Sequence, residues 1–277
     1  MKFRNKIIAT TFAGVLVAGG LAGCGMFGGS EETTAVETTA TETTAAEETS
    51  SEKTRSASAT ESTSAKTSSG SSSSKESNEL DASEMGVAAN AAKELNTGNE
   101  QYLTGKADMD VSSDLREELT NGQKPHTVVI TCSDSRVPPE LIFNADLGEL
   151  FTIRTAGNVV GEYEVGSVEY AVDHLGSQLV LVMGHSSCGA VGAAVEGHAE
   201  GNVASIVDEI IPSVEEAEKT EKTEEDIASK AEDLNVENTL ARLRESKVIK
   251  ELENSGKIKL VGAKYDIETG KVSYFSE

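Results

Sequence analysis

Basic residues are scarce in this chain of 277 residues, which has 24 Lys and Arg against 47 Asp and Glu and a formal net charge of −23. Proteins that bind nucleic acids need basic patches that neutralise phosphates, and none is visible here. The composition therefore argues against a nucleic-acid partner. An acidic surface of this kind is typical of a soluble domain.

Cysteine is also rare, with three residues in the whole chain, Cys24, Cys132 and Cys188. We assign Cys24 to an N-terminal signal, for the reasons given below. One disulfide, between Cys132 and Cys188, is then the pairing to consider if the domain is exported.

Apolar and aromatic side chains are few in the segment that precedes the folded part. Residues 25–80 are mostly Ser, Thr, Ala, Glu and Gly, with Phe27 as the single aromatic residue. Such a segment buries too little apolar area to offset its chain entropy. We predict a disordered linker over residues 25–83 and one folded domain over residues 84–277.

The first 24 residues resemble a bacterial lipoprotein signal. A basic start is followed by an apolar stretch from Ile7 to Ala22, which leads into Gly23 and Cys24. In such signals the cysteine is lipidated and becomes the mature N-terminus. The alternative is an uncleaved transmembrane anchor, but the stretch is short and Gly-rich for a span of about 20 residues. Both interpretations place the domain outside the cytoplasm, and the preferred one anchors it to the bacterial cell membrane by lipid at Cys24.

Short apolar runs alternate with helical patterns in the folded part. The predicted strands are 127–131, 150–154, 179–183 and 258–263, followed by a turn into 272–274. This alternation predicts an α/β fold with a central parallel sheet flanked by helices. The pattern at 88–103 predicts a helix interrupted by Gly98. The acidic stretch 213–233 predicts an exposed helix or an irregular insertion, with no assigned role.

Two motifs follow two of the predicted strands. The first is Cys132-Ser-Asp-Ser-Arg136 and the second is His185-Ser-Ser-Cys188-Gly189. Because sites in parallel sheets form at the carboxyl ends of strands, we expect the motifs to meet. Two thiolates and one imidazole bind zinc in catalytic sites that keep a fourth position open for water.

Asp134 and Arg136 add an acid–base and orienting pair to this set. Asp134 lies two residues after Cys132 and can accept a hydrogen bond from the water. Arg136 can hold Asp134 in a bidentate ion pair. Without this clamp, Asp134 would be free to become the fourth ligand and close the site.

Two alternatives stay open at this point. A Cys132–Cys188 disulfide explains two residues and leaves His185 and the Asp–Arg pair unexplained. A structural zinc site prefers four protein ligands, and with Asp134 as the fourth it would be a closed, inactive or pH-gated form.

Together the motifs resemble the β-class carbonic anhydrases. The resemblance extends over most of residues 88–277 and includes three further segments. They are Leu95-Asn-Thr-Gly98-Asn99, Ile153-Arg-Thr-Ala-Gly157-Asn158 and Gly262-Ala-Lys-Tyr265-Asp266-Ile267-Glu-Thr-Gly270.

The resemblance implies a role for each matching residue. By it, the zinc ligands are Cys132, His185 and Cys188, and the catalytic pair is Asp134 and Arg136. The residues that face substrate are Gln123, the backbone N–H of Gly189, and the aromatic side chains of Phe151 and Tyr170, which line the pocket from across a dimer interface. The other subtype of the family uses a tryptophan in a non-catalytic bicarbonate site. This chain has no Trp, which favours the plant-like, permanently open subtype.

The resemblance also implies an activity and an assembly. Zinc-bound hydroxide would hydrate CO2 reversibly to bicarbonate at the cell envelope, in a homodimer or a dimer of dimers with an N-terminal helical arm over the partner. Relatives on the same fold hydrolyse carbonyl sulfide or carbon disulfide, which is an alternative. A non-catalytic zinc-binding surface module is another, and the presence of both Asp134 and Arg136 argues against it.

Overall fold

The computed structural model describes residues 76–77 and 79–275. The predicted signal over residues 1–24, with Cys24, and most of the predicted linker lie outside the described residues, so both stay predictions. Within the described part of the chain, no helix has both the length and the apolar character that a membrane span requires.

A six-stranded sheet forms the centre of the described domain, with strand order β1-β6-β5-β4-β2-β3. The strands β2, β3, β4 and β5 pair in parallel, whereas β5–β6 and β6–β1 are antiparallel pairs. The predicted α/β class with a central parallel sheet is confirmed. The strands are β1 Glu76–Ser77, β2 Thr127–Cys132, β3 Leu150–Thr155, β4 Leu179–His185, β5 Lys259–Tyr265 and β6 Val272–Phe275.

The two central strands are buried on both faces. Every residue of β2 and of β4 is buried. Runs of branched apolar residues without alternation are typical of strands covered on both sides by helices. This is why the runs at 127–131 and 179–183 predicted strands correctly.

Eight α-helices surround the sheet in the described residues. Ser112 caps α2, because its side-chain oxygen accepts a hydrogen bond from the backbone N–H of Leu115 at 3.2 Å. A π-helical turn, Ala171–Leu175, extends α4. The helices are α1 Ala89–Leu103, α2 Ser113–Glu118, α3 Pro139–Ile142, α4 Glu162–Tyr170, α5 Gly189–Glu196, α6 Val203–Ala217, α7 Glu224–Leu243 and α8 Lys247–Asn254.

A separate apolar cluster covers each face of the sheet. On one face, Leu95 of α1 packs with Val129 and Leu181. The predicted N-terminal helix is therefore α1, and it packs on the sheet of its own chain. On the other face, Val236 of α7 packs with Val180 and other residues of the sheet.

Gly98 lies inside α1 and does not interrupt it, so the predicted break was wrong. A Cβ atom at this position would lie 1.7 Å from the backbone oxygen of Phe143. A glycine weakens a helix by only about 1 kcal/mol, and here it allows close contact between α1 and the end of α3. Packing therefore overrides the local propensity.

The acidic stretch 213–233 is helical and partly buried. It contributes the end of α6 and the first half of α7, which pack on each other. Ala231 and Glu232 of α7 are buried, although most acidic side chains of the stretch are exposed. The stretch is therefore part of the domain and not an irregular insertion.

Leu80 belongs to the domain although it lies within the predicted linker. Its side chain is buried with the cluster around Leu95. Its backbone N–H donates to Asn96 Oδ1 at 3.0 Å, and its carbonyl accepts from Asn96 Nδ2 at 2.9 Å. The packing of the domain thus includes Leu80, which precedes residue 84.

Candidate metal centre

Two neighbouring strands bring the two motifs together. Cys132 ends β2 and His185 ends β4, and these strands pair in parallel. Cys188 follows after a tight turn in which Ser187 has φ = 57°, and it precedes the first residue of α5. The donor atoms of Cys132, His185 and Cys188 all lie within 4.8 Å of one another, and the three residues are buried. The predicted meeting of the motifs is confirmed.

The donor set fits a zinc ion. Zinc bonds sulfur at about 2.3 Å and nitrogen at about 2.0 Å, so donors this close can share one ion. His185 Nδ1 donates to the carbonyl oxygen of Ser186 at 2.9 Å, which directs the other ring nitrogen to the centre. This nitrogen, Nε2, is buried and has no hydrogen-bond partner among the described residues. A buried, orphaned nitrogen beside two sulfurs is what a metal ligand requires.

Both thiols are free, so the structure does not contain the alternative disulfide. A hydrogen bond with the Cys188 thiol lowers the pKa of Cys132, and the same contact raises the pKa of Cys188. The backbone N–H of Gly157 donates to Cys132 Sγ at 3.2 Å. Backbone hydrogen bonds from Val191 and Ala190 at the start of α5 act to lower the pKa of Cys188. Such donors favour thiolates, which are the form that binds metal.

The predicted ion pair between Asp134 and Arg136 is present and bidentate. Arg136 Nε lies 3.0 Å from Asp134 Oδ1, and Nη2 lies 2.7 Å from Oδ2. The backbone N–H of Arg136 also donates to Oδ1 at 2.9 Å. These bonds hold the pKa of Asp134 well below its usual range. Asp134 Oδ2 lies 4.0 Å from His185 Nε2, so the carboxylate faces the centre.

Arg154 supports the first motif, although no sequence pattern indicated a role for it. Its Nε donates to the carbonyl oxygen of Cys132 at 3.0 Å, and its Nη2 donates to that of Asp134 at 2.5 Å. Arg154 therefore fixes the backbone on which the ligand and the carboxylate are carried. Arg154 lies within the segment 153–158 that resembles the family. Its role became visible only in the contact from β3 to the backbone at the end of β2.

Gly189 begins α5 directly after Cys188. Apart from its chain neighbours and the backbone of its own helix, no described heavy atom lies within 4 Å of the place where a Cβ would stand. The residue thus leaves space at the amino end of a helix beside the centre.

The other three substrate-facing candidates lie at the opposite end of the sheet within the chain. Gln123 is exposed in the loop before β2. Phe151 pairs with Val128 near the start of β2, and its ring centroid lies 6.3 Å from that of Tyr170. Val128 lies four residues before Cys132 in β2, so at about 3.3 Å per residue Phe151 is roughly 13 Å from that end of the strand. Within one chain, these side chains do not meet the centre.

Two residues of α7 contact the Cys188 loop and the neighbouring Gly157 loop, and no sequence pattern indicated them. Glu232 accepts from the backbone N–H of Cys188, and Asn235 donates to the carbonyl oxygen of Gly157. Both lie in or next to the acidic stretch, where nothing in the sequence distinguishes Glu232 from its neighbours.

Comparison with known proteins gives consistent matches. A family model described as carbonic anhydrase matches residues 127–272. Carbonic anhydrase 2 of Mycobacterium tuberculosis (strain CDC 1551 / Oshkosh) is 37% identical over 188 residues, covering 65% of this chain and 89% of that protein.

Solved structures match over a similar share of the chain. The β-carbonic anhydrase CcaA is 30% identical with a TM-score of 0.53, over 66% of this chain and 85% of that one. One of two tetrameric β-carbonic anhydrases from Sordaria macrospora is 26% identical with a TM-score of 0.54, over 67% and 96%. Since the family model covers more than half of the chain and the site carries the matching motifs, this chain belongs to the β-class carbonic anhydrase family.

Proposed function

We propose that this protein is a zinc-dependent carbonic anhydrase that interconverts CO2 and bicarbonate. The observation that carries the proposal is the buried cluster of Cys132, His185 and Cys188, whose donor atoms lie within 4.8 Å of one another. These three residues would hold the ion. The chemistry that bound zinc supplies in such a set is a water with its pKa lowered from about 16 to about 7.

Asp134 is the residue that would orient this water. Its carboxylate stays ionised because Arg136 binds both of its oxygens, so it accepts hydrogen bonds and donates none. A hydrogen bond from the water to Asp134 would turn an oxygen lone pair toward CO2. Arg136 also donates to the carbonyl oxygen of Ser187 at 3.3 Å, which ties the pair to the second ligand loop.

Gly189 would stabilise the oxygens that gain charge as bicarbonate forms. It is the first residue of α5, where backbone N–H groups lack helical partners. An N–H donor fixed near developing negative charge lowers the barrier without reorganisation. The open space beside Gly189 leaves room for substrate.

We further propose that a second subunit completes the pocket. Phe151, Tyr163 and Tyr170 line a cavity of about 1000 Å³ on the chain surface. Tyr163 is 85% exposed and Tyr170 is 48% exposed, which is unusual for aromatic side chains grouped together. A homodimer, or a dimer of dimers, would bury this face and bring these residues and Gln123 to the partner's centre. The tetrameric Sordaria macrospora relatives support this assembly.

The open, plant-like subtype is part of the proposal. The absence of Trp from the chain and the three hydrogen bonds that hold Asp134 on Arg136 support it. A carboxylate held in this way is not free to act as the fourth ligand.

We also propose that the enzyme acts at the cell envelope as a lipoprotein anchored at Cys24. The basic start, the apolar stretch and Leu21-Ala22-Gly23-Cys24 support this location. Labelling of cells with a fatty-acid analogue should tag the unchanged protein and should not tag the Cys24→Ala variant. Equal labelling of the two forms would contradict the anchor.

The activity is tested by a stopped-flow assay of CO2 hydration with the full-length protein in detergent. Zinc content is measured on the same sample. Fast hydration with about one zinc per chain is expected. Stoichiometric zinc with hydrolysis of carbonyl sulfide and no hydration would move the assignment to that reaction. A protein that binds no zinc and does not hydrate CO2 would overturn the proposal.

A further inference from the structure

One face of α7 contacts the Cys188 loop and the Gly157 loop, which supports Cys132. Glu232 and Asn235 are three residues apart, so they lie on the same side of the helix. Glu232 contacts the backbone of Cys188, and Asn235 contacts the backbone of Gly157, which in turn donates to Cys132. A single helix therefore touches the supports of two of the three candidate ligands.

The contact from Glu232 is direct and buried. Its Oε1 accepts from the backbone N–H of Cys188 at 3.0 Å. Its Oε2 lies 2.9 Å from Nζ of Lys264 on β5. The Glu232 side chain is 5% exposed and that of Lys264 is 16% exposed. Each carboxylate oxygen thus has one partner, and only one of these partners belongs to the ligand loop.

Lys264 fixes the Glu232 side chain in place. It also contacts Asp233 Oδ1 at 2.9 Å and donates to the carbonyl oxygen of Ser229 at 3.0 Å. Burial acts to lower the pKa of Lys264, but the two carboxylates outweigh it and the pKa is raised. The ammonium group therefore stays charged between Glu232 and Asp233.

A buried carboxylate is costly for a fold unless a specific contact needs it. Taking an ion out of water costs several kcal/mol, and apolar replacements of buried ion pairs are often as stable or more so. Most other acidic side chains of the stretch are exposed, whereas Glu232 is directed inward at a candidate ligand. Charge-assisted hydrogen bonds are short and about twice as strong as neutral ones. The geometry suits a group that fixes a backbone position.

We propose that Glu232, held by Lys264, is a positioning residue that fixes the backbone of Cys188. In this position the Cys188 sulfur can bind zinc together with the Cys132 sulfur and the His185 imidazole. The proposal rests on the proposed zinc function. It also gives the acidic stretch a role, because α7 reaches the centre through this residue.

The test compares Glu232→Ala with Asp233→Ala in the full-length protein. Each variant removes one carboxylate from Lys264, but only the first removes the acceptor of the Cys188 N–H. Glu232→Asp keeps the charge near Lys264 and shortens the reach toward Cys188. Glu237→Ala, an exposed position on the same helix, is the control for loss of a surface charge.

Two readouts separate positioning from general stability. Zinc affinity is measured by chelator competition, and the cobalt(II)-substituted protein is examined for its thiolate-to-metal charge-transfer absorption. We expect Glu232→Ala to bind zinc about 10- to 100-fold more weakly and to alter the cobalt spectrum. Glu232→Asp should show the same change in weaker form. Asp233→Ala should lose much less affinity, and Glu237→Ala should match the parent.

Several outcomes would overturn the proposal. One is that Glu232→Ala has the same zinc affinity and the same cobalt spectrum as the parent. Another is that Glu232→Ala and Asp233→Ala lose zinc affinity to the same extent. If Glu232→Ala does not fold, Glu232→Asp against Asp233→Ala decides by the same criteria. A parent protein that binds no zinc would instead refute the proposed function, so the two failures are distinguishable.

Discussion

Arg136 binds both carboxylate oxygens of Asp134, with Nε 3.0 Å from Oδ1 and Nη2 2.7 Å from Oδ2, while Oδ2 lies 4.0 Å from the buried Nε2 of His185. The carboxylate is therefore next to the centre but attached to the arginine. This relationship separates an aspartate that orients water from an aspartate that ligates metal.

Arg136→Ala should retain zinc and lose turnover. Without the guanidinium, Asp134 is free to turn toward the metal and no longer orients water. We expect the rate of CO2 hydration to fall about 100-fold, the low end of what a positioned proton acceptor contributes. Stopped-flow assays at neutral to mildly alkaline pH, with zinc content, check this. An unchanged rate would count against the pair, and Arg116→Ala on the remote helix α2 should keep the parent's rate.

Cys132→Ala should lose zinc and activity together, because it removes one of the three ligands in the buried cluster. Metal analysis after dialysis and stopped-flow hydration measure the two losses. The matched control is Ser133→Ala, an exposed neighbour that should keep both. Stoichiometric zinc in Cys132→Ala would refute the ligand assignment.

The linker should be dispensable for catalysis, but the point of truncation should matter for stability. A chain that starts at Glu84 loses the buried side chain of Leu80, worth about 1.5–3 kcal/mol, and its two hydrogen bonds with Asn96. A chain that starts at Glu76 keeps them. At about 2–4 °C per kcal/mol for a domain of this size, the shorter form should melt several degrees lower.

Thermal unfolding of both truncations, followed by CO2 hydration, provides the measurement. Leu80→Ala in the longer form should reproduce most of the loss. Equal melting temperatures would show that Leu80 contributes little, and a longer form without activity would show that the linker is required.

Gly98→Ala should destabilise the domain strongly. The new Cβ would lie 1.7 Å from the backbone oxygen of Phe143, so α1 and α3 would have to separate. Overpacking of this kind costs about 1–3 kcal/mol and occasionally more. The control is Gly192→Ala in α5, where no described atom outside the neighbouring helix backbone lies within 4 Å of the new Cβ and helix propensity favours alanine by about 1 kcal/mol. Thermal unfolding should separate the two, and equal melting temperatures would contradict the close contact.

The sequence predicted the strands and the centre well for local reasons. The apolar runs at 127–131 and 179–183 are too short for helices and too uniform for exposed strands, so they indicated the middle of a parallel sheet. The position of Cys132 and His185 at the ends of these runs then predicted one site. These inferences needed only strand geometry and the chemistry of zinc ligands.

Other features depended on contacts between distant parts of the chain. In the sequence, Gly98 indicates a helix break, whereas in the structure it allows the backbone of Phe143 to pack against α1. Leu80 resembles linker until it packs beside Leu95. Glu232 is one acidic residue among many until α7 places it on the N–H of Cys188. In each case the deciding partner is remote in sequence.

By itself, then, the sequence determined the fold class, the candidate zinc ligands and the Asp134–Arg136 pair, because periodicity and short motifs depend on neighbours along the chain. Only the tertiary structure decided that Leu80 packs into the domain, why α1 tolerates Gly98 and which buried side chains support the ligand loops. These depend on packing and on the satisfaction of buried polar groups, which arise when remote segments meet.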